Sequence, residues 1–375
     1  MISVLCVYMG EERAPGGCEI YRIQMPFYYM SLRGGLRCDW EYFGNIVKQF
    51  RQNGVSSLFN KILQYDIFVF PRMFIPDGNE VVRESIAVFF ETIRQLGKKI
   101  VYEVDDDFSN EYRHVVNGDS IEVASWCDAI IVSTPYLGER MSKLARRPVF
   151  VCPNCIDFNL WGDEETIPNP IKEDTITIAL TGSKTHYSDW IILKDVIPEI
   201  LYKHSNVTFI LCGFEPDYFK GLEQTIVLPG MRYDAYSQII RSSDIVLAPV
   251  NPDDGFNISK SPIKAVEGMA ALRKVDGRNG GACVIATDNP VYRLAVKDQK
   301  TGLLVEHNEQ SWMCAIEGVI NDKEKRHRLQ INAYKHAKRK FDIADKWQNW
   351  SRAYRKILEM QANTKKLPVP LSVKM

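Results

Sequence analysis

Residues Asp244–Ala270 read DIVLAPVNPDDGFNISKSPIKAVEGMA. The run DIVLAPV is an apolar strand, and the Pro/Asn/Asp-rich stretch that follows it is a loop. Ser261 is a good N-cap and Pro262 a good first helical residue, so a helix opens immediately downstream of the strand. A strand feeding directly into a helix is the repeating unit of a parallel α/β sheet.

The same rhythm runs outward on both sides. Toward the carboxyl end lie strand-like runs at Ala282–Ala286 and Gly302–Val305. Toward the amino end lie Thr225–Leu228, Val207–Cys212 and Thr175–Leu180, with a helix expected over Ser188–Lys203. A Pro-, Asn- and acid-rich stretch, 157–174, interrupts the alternation and reads as a linker. Before it, Ile2–Tyr8, Asp66–Phe70, Lys99–Val104, Ala129–Ser133 and Val149–Cys152 repeat the pattern.

From Asn308 onward only helices remain, and Trp347, Trp350, Tyr354, Ile357 and Leu358 recur at helical spacing as one apolar stripe that needs a surface to bury against. The expectation is therefore an amino-terminal α/β domain over 1–156 and a second over 175–342. A helix over 343–361 and a loose tail over 362–375 complete the chain.

A chain of 375 residues suits two such domains. Its composition, 45% hydrophobic and 25% charged, is that of an ordinary globular protein. No run approaches the roughly 18 apolar residues of a membrane helix. The first residues read as a strand and not a signal peptide, and the nine scattered cysteines suit a reducing cytoplasm. The net charge is zero, yet residues 322–375 hold 15 Lys/Arg against 5 Asp/Glu, a basic end that an acidic partner or a solvated helical face would explain.

The chemistry concentrates around the helix opening at Ser261. Unpaired amides and the positive dipole end make a helix start a phosphate site, and Lys260 and Lys264 flank this one. About a turn and a half further on, Glu267 is a carboxylate able to accept two hydrogen bonds from a ribose diol. The plain structural alternative is a surface Lys264–Glu267 pair.

KSPIKAVEGMA, followed after an insertion by CVIATD, resembles the donor-binding signature of retaining group 1 glycosyltransferases of the GT-B class. The resemblance implies two Rossmann-like domains, a carboxyl-terminal helix crossing back to the first, and sugar transfer from a nucleoside diphosphate sugar. It implies no metal and no further cofactor, the acceptor being a glycan or small molecule.

In that family two glutamates stand eight residues apart. Glu267 matches the second, the ribose ligand, while Ser259 occupies the place of the first, which contacts the sugar, with Asn257 nearby. Ser261 and Ile263 fall on the phosphate-binding helix start, and Lys260 and Lys264 stabilise the departing diphosphate. Gly16 and Gly17 resemble the glycine loop after the first strand. In LTGSKTHYSDW, Ser183 replaces the usual arginine and leaves Lys184 as the nearby cation; helix capping is the alternative for this loop.

KKIVYEVDDDF ends a strand in Glu103, Asp105, Asp106 and Asp107, a costly grouping without positive neighbours. Three readings stand: Asp105 beside the reacting sugar, as the resemblance implies; pairing with Arg72 or Arg113; or an oxygen-ligand metal site. Cys152 and Cys155 form a CxxC with no second pair, so a structural zinc is not expected.

Asn279, Gly280 and Gly281, within LRKVDGRNGGA, are expected to form a mobile flap. Three alternative functions remain open at this level: transfer of sugar to DNA, using the basic helices; an epimerase, phosphorylase or hydrolase on the same frame; and a non-catalytic binding protein.

Overall fold

The computed structural model describes residues 1–9, 16–109, 111–112, 116–161 and 175–368. The chain divides into two compact units. The first comprises Met1–Asn154, Ser259–Ser261 and Ile343–Met375, the second Cys155–Ile258 and Pro262–Asp342.

The first unit is built on a six-stranded parallel sheet of β1 (Ser3–Tyr8), β2 (Arg37–Tyr42), β3 (Ile67–Pro71), β4 (Lys99–Val104), β5 (Ala129–Val132) and β6 (Val149–Val151). Their order is β2-β1-β3-β4-β5-β6. β3, β4 and β5 are apolar and buried along nearly their whole length, as strands covered on both faces must be. β2, RCDWEY, is the strand of this six-stranded sheet that the sequence reading missed. It lies at the sheet edge, is half exposed, and carries charges where a buried strand carries β-branched residues.

The helix Gln348–Glu359 belongs to this unit and buries the expected stripe: Trp350, Tyr354 and Ile357 are all fully inaccessible. Tyr354 meets Phe27 edge to face, and the Arg22 guanidinium lies over the Trp350 ring. Beyond it, residues 361–368 are not the loose tail expected. The Asn363 side-chain amide donates to the carbonyls of Ser125, Trp126 and Cys127, and its backbone N–H donates to Asp128. Residues 369–375 and most of the expected linker lie outside the described residues.

In the second unit the strands are β7 (Ile176–Thr181), β8 (Val207–Gly213), β9 (Thr225–Pro229), β10 (Ile245–Ala248), β11 (Cys283–Thr287) and β12 (Leu303–Val305). Again all are parallel, in the order β9-β8-β7-β10-β11-β12. This is the doubly wound dinucleotide-binding order, whose direction reverses between β7 and β10. The helix expected over Ser188–Lys203 is broken into Tyr187–Trp190, a 3₁₀ turn at Ile191–Leu193 and Val196–Lys203.

The insertion after Ala270 forms a β-hairpin. Arg273–Val275 pairs antiparallel with Arg278–Gly280, Gly280 is buried, and the Gly281 N–H donates to the Gln330 carbonyl. The two-residue turn Asp276–Gly277 has both φ angles positive, the geometry that closes such hairpins, and an Asp-Gly pair adopts it readily.

Candidate active site

The helix Ile263–Ala270 opens after Pro262, one residue later than the sequence suggested. Ser261 does not cap it: its hydroxyl accepts from Asn154 Nδ2 at 2.8 Å, and no side chain caps the helix start. Ile263, half buried, is the first helical residue, so the opening amides keep their dipole without a side-chain cap. Gly268 brings this helix close to the sheet. A Cβ there would come within 2.8 Å of Val284 Cγ2 and 3.1 Å of Val246 Cβ.

Lys264 and Glu267 do pair, but not as a surface pair. Glu267 is buried, and its Oε2 accepts from Lys264 Nζ at 3.1 Å and from the Tyr236 hydroxyl at 2.6 Å. Lys264 also donates to Tyr236 Oη at 3.0 Å, and Thr181 Oγ1, at the end of β7, lies 2.9 Å from the same oxygen. Burial alone would push the Lys264 ammonium down, but the Glu267 carboxylate outweighs it and holds the pKa above the ordinary lysine value. The lysine is thus a fixed positive charge. Tyr236, the hub of this arrangement, was not found from sequence; it lies in the amphipathic helix Tyr233–Arg241 without a motif around it.

Across the reversal point from this cluster, Asp189 is buried and accepts from His186 Nδ1 at 2.9 Å, Asn257 Nδ2 at 2.7 Å and the Asn251 N–H at 3.0 Å. Asp189 therefore organises the loops following β7 and β10. The Asn257 amide nitrogen, expected to meet a sugar, is committed to Asp189 and to the Asn251 carbonyl. Ser183 and Lys184 are exposed, and Ser183 caps nothing; its hydroxyl pairs with Thr185 Oγ1 at 2.7 Å. Gly213 ends β8 with φ +111°, and a Cβ there would lie 2.0 Å from the Gly182 carbonyl oxygen, so no other residue fits.

Ser259–Ser261 group with the first unit, where buried Ser259 Oγ accepts from the Asp107 N–H at 3.2 Å and Lys260 is half buried. In that unit, Gly16 and Gly17 open a helix directly after the undescribed residues 10–15. The Gly16 N–H donates to Glu19 Oε2 at 2.5 Å. A Cβ at either glycine would make only ordinary contacts, so close packing does not require them.

The acidic strand end is neutralised by arginines. Arg72 Nε donates to Asp105 Oδ1 at 2.8 Å and its NH2 pairs with Asp106, while Arg140 Nε pairs with Asp107 at 2.5 Å. Arg113 lies outside the described residues. Burial raises the Asp105 carboxyl, but Arg72 and Arg22 outweigh it and hold it below the usual carboxylate range. Cys18 joins Asp105 and Asp106 within 4.8 Å, a possible ligand set, yet Arg72 already serves both carboxylates as counter-ion. Cys152 and Cys155 are both buried.

A pair the sequence did not reveal lies beside them. Glu103 and Arg22 are both buried, Arg22 sitting in the π-helical turn Ile20–Gln24. Nε and NH2 of Arg22 both point at Glu103 Oε1, while its NH1 serves Asn154 Oδ1 and the Cys152 carbonyl.

Residues 163–336 match the family described as Glycosyl transferases group 1. No curated protein sequence matches the chain. Among solved structures, HepE from Anabaena in complex with UDP-glucose superposes with a TM-score of 0.65 at 18% identity, over 94% of this chain and 99% of that one. Sucrose-phosphate synthase from Thermosynechococcus elongatus gives 0.63 at 12%, over 96% and 100%. UDP-GlcNAc 2-epimerase from Neisseria meningitidis, bound to UDP-GlcNAc, gives 0.54 at 11%, over 95% and 100%. With two Rossmann-like sheets, a buried Lys–Tyr–Glu cluster on an uncapped helix start and this family match, the chain is a glycosyltransferase of the GT-B fold whose residues 163–336 form a group 1 domain.

Proposed function

We propose that the protein transfers a sugar from a uridine diphosphate sugar to a hydroxyl acceptor, with retention at the anomeric carbon. The observation that supports it best is the Lys264–Tyr236–Glu267 cluster on the first turns of helix 263–270, beside the β7/β10 reversal point where such sheets bind nucleotides. In this reading the diphosphate rests on the amides of Ile263 and Lys264. Lys260, Lys264 and Lys184 offset the charge that grows as the glycosidic bond breaks. Glu267, held in place through Oε2, takes the ribose diol.

Uridine is the proposed base because the similar structures of HepE and the epimerase hold UDP or UDP-sugars. Ser183 and Ser259 contact the sugar end, and the Gly16–Gly17 segment belongs to the acceptor side. Asp105, ionised and fixed by Arg72, positions that arginine and takes no proton. No divalent ion is needed in this scheme, since helix amides and lysines carry the counter-charge.

Calorimetric titration with UDP, GDP, dTDP and ADP, followed by incubation with the radiolabelled UDP-sugar, tests this reading. UDP should bind tightest, and label should move to an added acceptor with the donor's anomeric configuration. Sugar interconversion without transfer, or no preference for UDP, would overturn it.

A further inference from the structure

Between the hairpin 273–280 and the helix Lys323–Phe341 of the second unit lies a groove of about 460 Å³. Its place in the fold follows from Asp244, the residue just before β10. The Arg273 guanidinium pairs with Asp244 Oδ1 at 2.6 Å, and Gln330 Nε2 donates to the Asp244 carbonyl at 3.0 Å. The groove is therefore on the amino-end side of the sheet, whereas helix 263–270 opens at the carboxyl end, where nucleotides bind.

Four exposed cations line it: Arg278 from the hairpin, and Lys323, Arg328 and Lys335 spread over about 18 Å of the helix. Among the described residues none of the four makes an ion pair. The lining also holds two carboxylates. Asp276 accepts from His327 Nδ1 at 2.8 Å, a contact that fastens the hairpin tip to the helix, and it acts on Arg278 and Lys323 only from further away. Glu324 is the other, so cations are in excess. The whole chain is neutral, which makes this excess a local feature and not the by-product of a basic protein. Like charges held along one groove repel, and an anion lying in it removes that repulsion.

We infer that this groove binds the sugar-phosphate backbone of duplex nucleic acid. The inference goes beyond sugar transfer and does not depend on it. A single phosphate touches only part of a set of cations strung over such a length, whereas a backbone of regularly spaced phosphates meets them together and releases its condensed counterions. The cations stand on a helix fixed by its own packing, with Leu329, Ile331 and Ala333 buried, so a stiff partner gains the contacts without the ordering cost that a flexible acidic peptide bears. Among the described residues no Phe, Tyr or Trp lines the groove, and single strands are held largely by stacking their bases on such rings. A flat bilayer surface does not fit a concave groove whose aliphatic lining residue, Ile331, is buried and has nothing to insert. What is recognised is charge and shape, without readout of base sequence.

The test uses the full chain and fluorescence anisotropy with a short labelled DNA duplex, its separated single strand and poly-glutamate, alongside co-sedimentation with phosphatidylserine vesicles. The duplex should bind tightest and weaken roughly hundredfold between about 50 and 200 mM salt, with a log–log slope of about −3 to −4 for four phosphate contacts. Arg328→Glu/Lys335→Glu should cut that slope to about half and lower affinity at low salt by more than about tenfold. Both side chains are exposed, so the variant should melt with wild type, and the milder Arg328→Gln/Lys335→Gln should halve the slope as well. Lys143→Glu/Lys194→Glu, equal in net charge but on other exposed surfaces, should bind as wild type does. Unchanged duplex binding by the groove variants, an equal loss in the Lys143/Lys194 control, tighter binding of single strand, poly-glutamate or vesicles, or no duplex binding at about 50 mM salt would each overturn the inference.

Discussion

Removing the Tyr236 hydroxyl takes a donor from Glu267 and an acceptor from Lys264 while leaving the ring beneath the ammonium. A hydrogen bond to a charged group contributes about 1.5–3 kcal/mol, and a domain of this size loses about 2–4 °C in melting temperature per kcal/mol. Tyr236→Phe is therefore expected to melt about 3–12 °C lower by calorimetry, and a variant melting with wild type would contradict the hub role. Glu267→Ala should weaken UDP binding roughly ten- to hundredfold in the same titrations, since it removes both the proposed ribose ligand and the counter-charge of Lys264.

Glu103 supplies a pH signature. Its carboxyl, ordinarily near 4.5, is lifted to about 7 by burial, with Arg22 opposing. The folded state thus keeps a proton that the unfolded chain has already released. The associated stability is complete below about pH 4.5 and disappears as pH rises through about 7. The unfolding free energy from urea titrations should fall over that window by an amount on the order of 3 kcal/mol, and Glu103→Gln should flatten the slope. A wild-type profile that rises from pH 5 to 7 in this unit would contradict it.

At the scale of elements, the sequence was most legible where physics is local. The strand runs were recognised to within about a residue because strands buried on both faces need unbroken apolar stretches, and the helix at 263–270 because Pro262 marks its start. β2 escaped because an edge strand needs no such run. The hairpin pairing of 273–280 was not legible because its glycines signal only turns, whereas its contact to the Gln330 carbonyl comes from a partner about fifty residues away.

The pairing of Lys264 with Glu267 was legible from their i,i+3 spacing, whereas the Tyr236 contacts, Asp189 as organiser and the Arg22–Glu103 pair depend on long-range contacts that no local pattern encodes. Two tests belong here. Amides of Arg273–Val275 should resist hydrogen exchange more than an exposed loop would, and rapid exchange would restore the flap. Gly268→Val should destabilise the second unit by about 1–3 kcal/mol, because its Cβ is forced against Val246 and Val284; a neutral effect on urea midpoints would show that the helix has room to move.

For the whole molecule, a ligand that binds only the folded state adds about 2.7 kcal/mol at a hundredfold excess over its Kd. UDP at that excess should raise the melting transition of the second unit by roughly 5–10 °C. Ending the chain after Met360 removes Asn363, whose amide satisfies three carbonyls at the close of helix Ser120–Trp126. That truncation should lower the melting of the first unit while leaving UDP affinity intact, and a matching loss in both would contradict the assignment of residues 361–368 to the first unit alone.

The same clasp orders events during protein synthesis. Residues 155–342, apart from three, make up the second unit and leave the ribosome before the helix 348–359 and Asn363 exist. The unit whose chain emerges first is thus the last to be completed. Until translation passes residue 363, the carbonyls of Ser125, Trp126 and Cys127 wait for their amide donor, and the surface that Trp350 packs against stands uncovered.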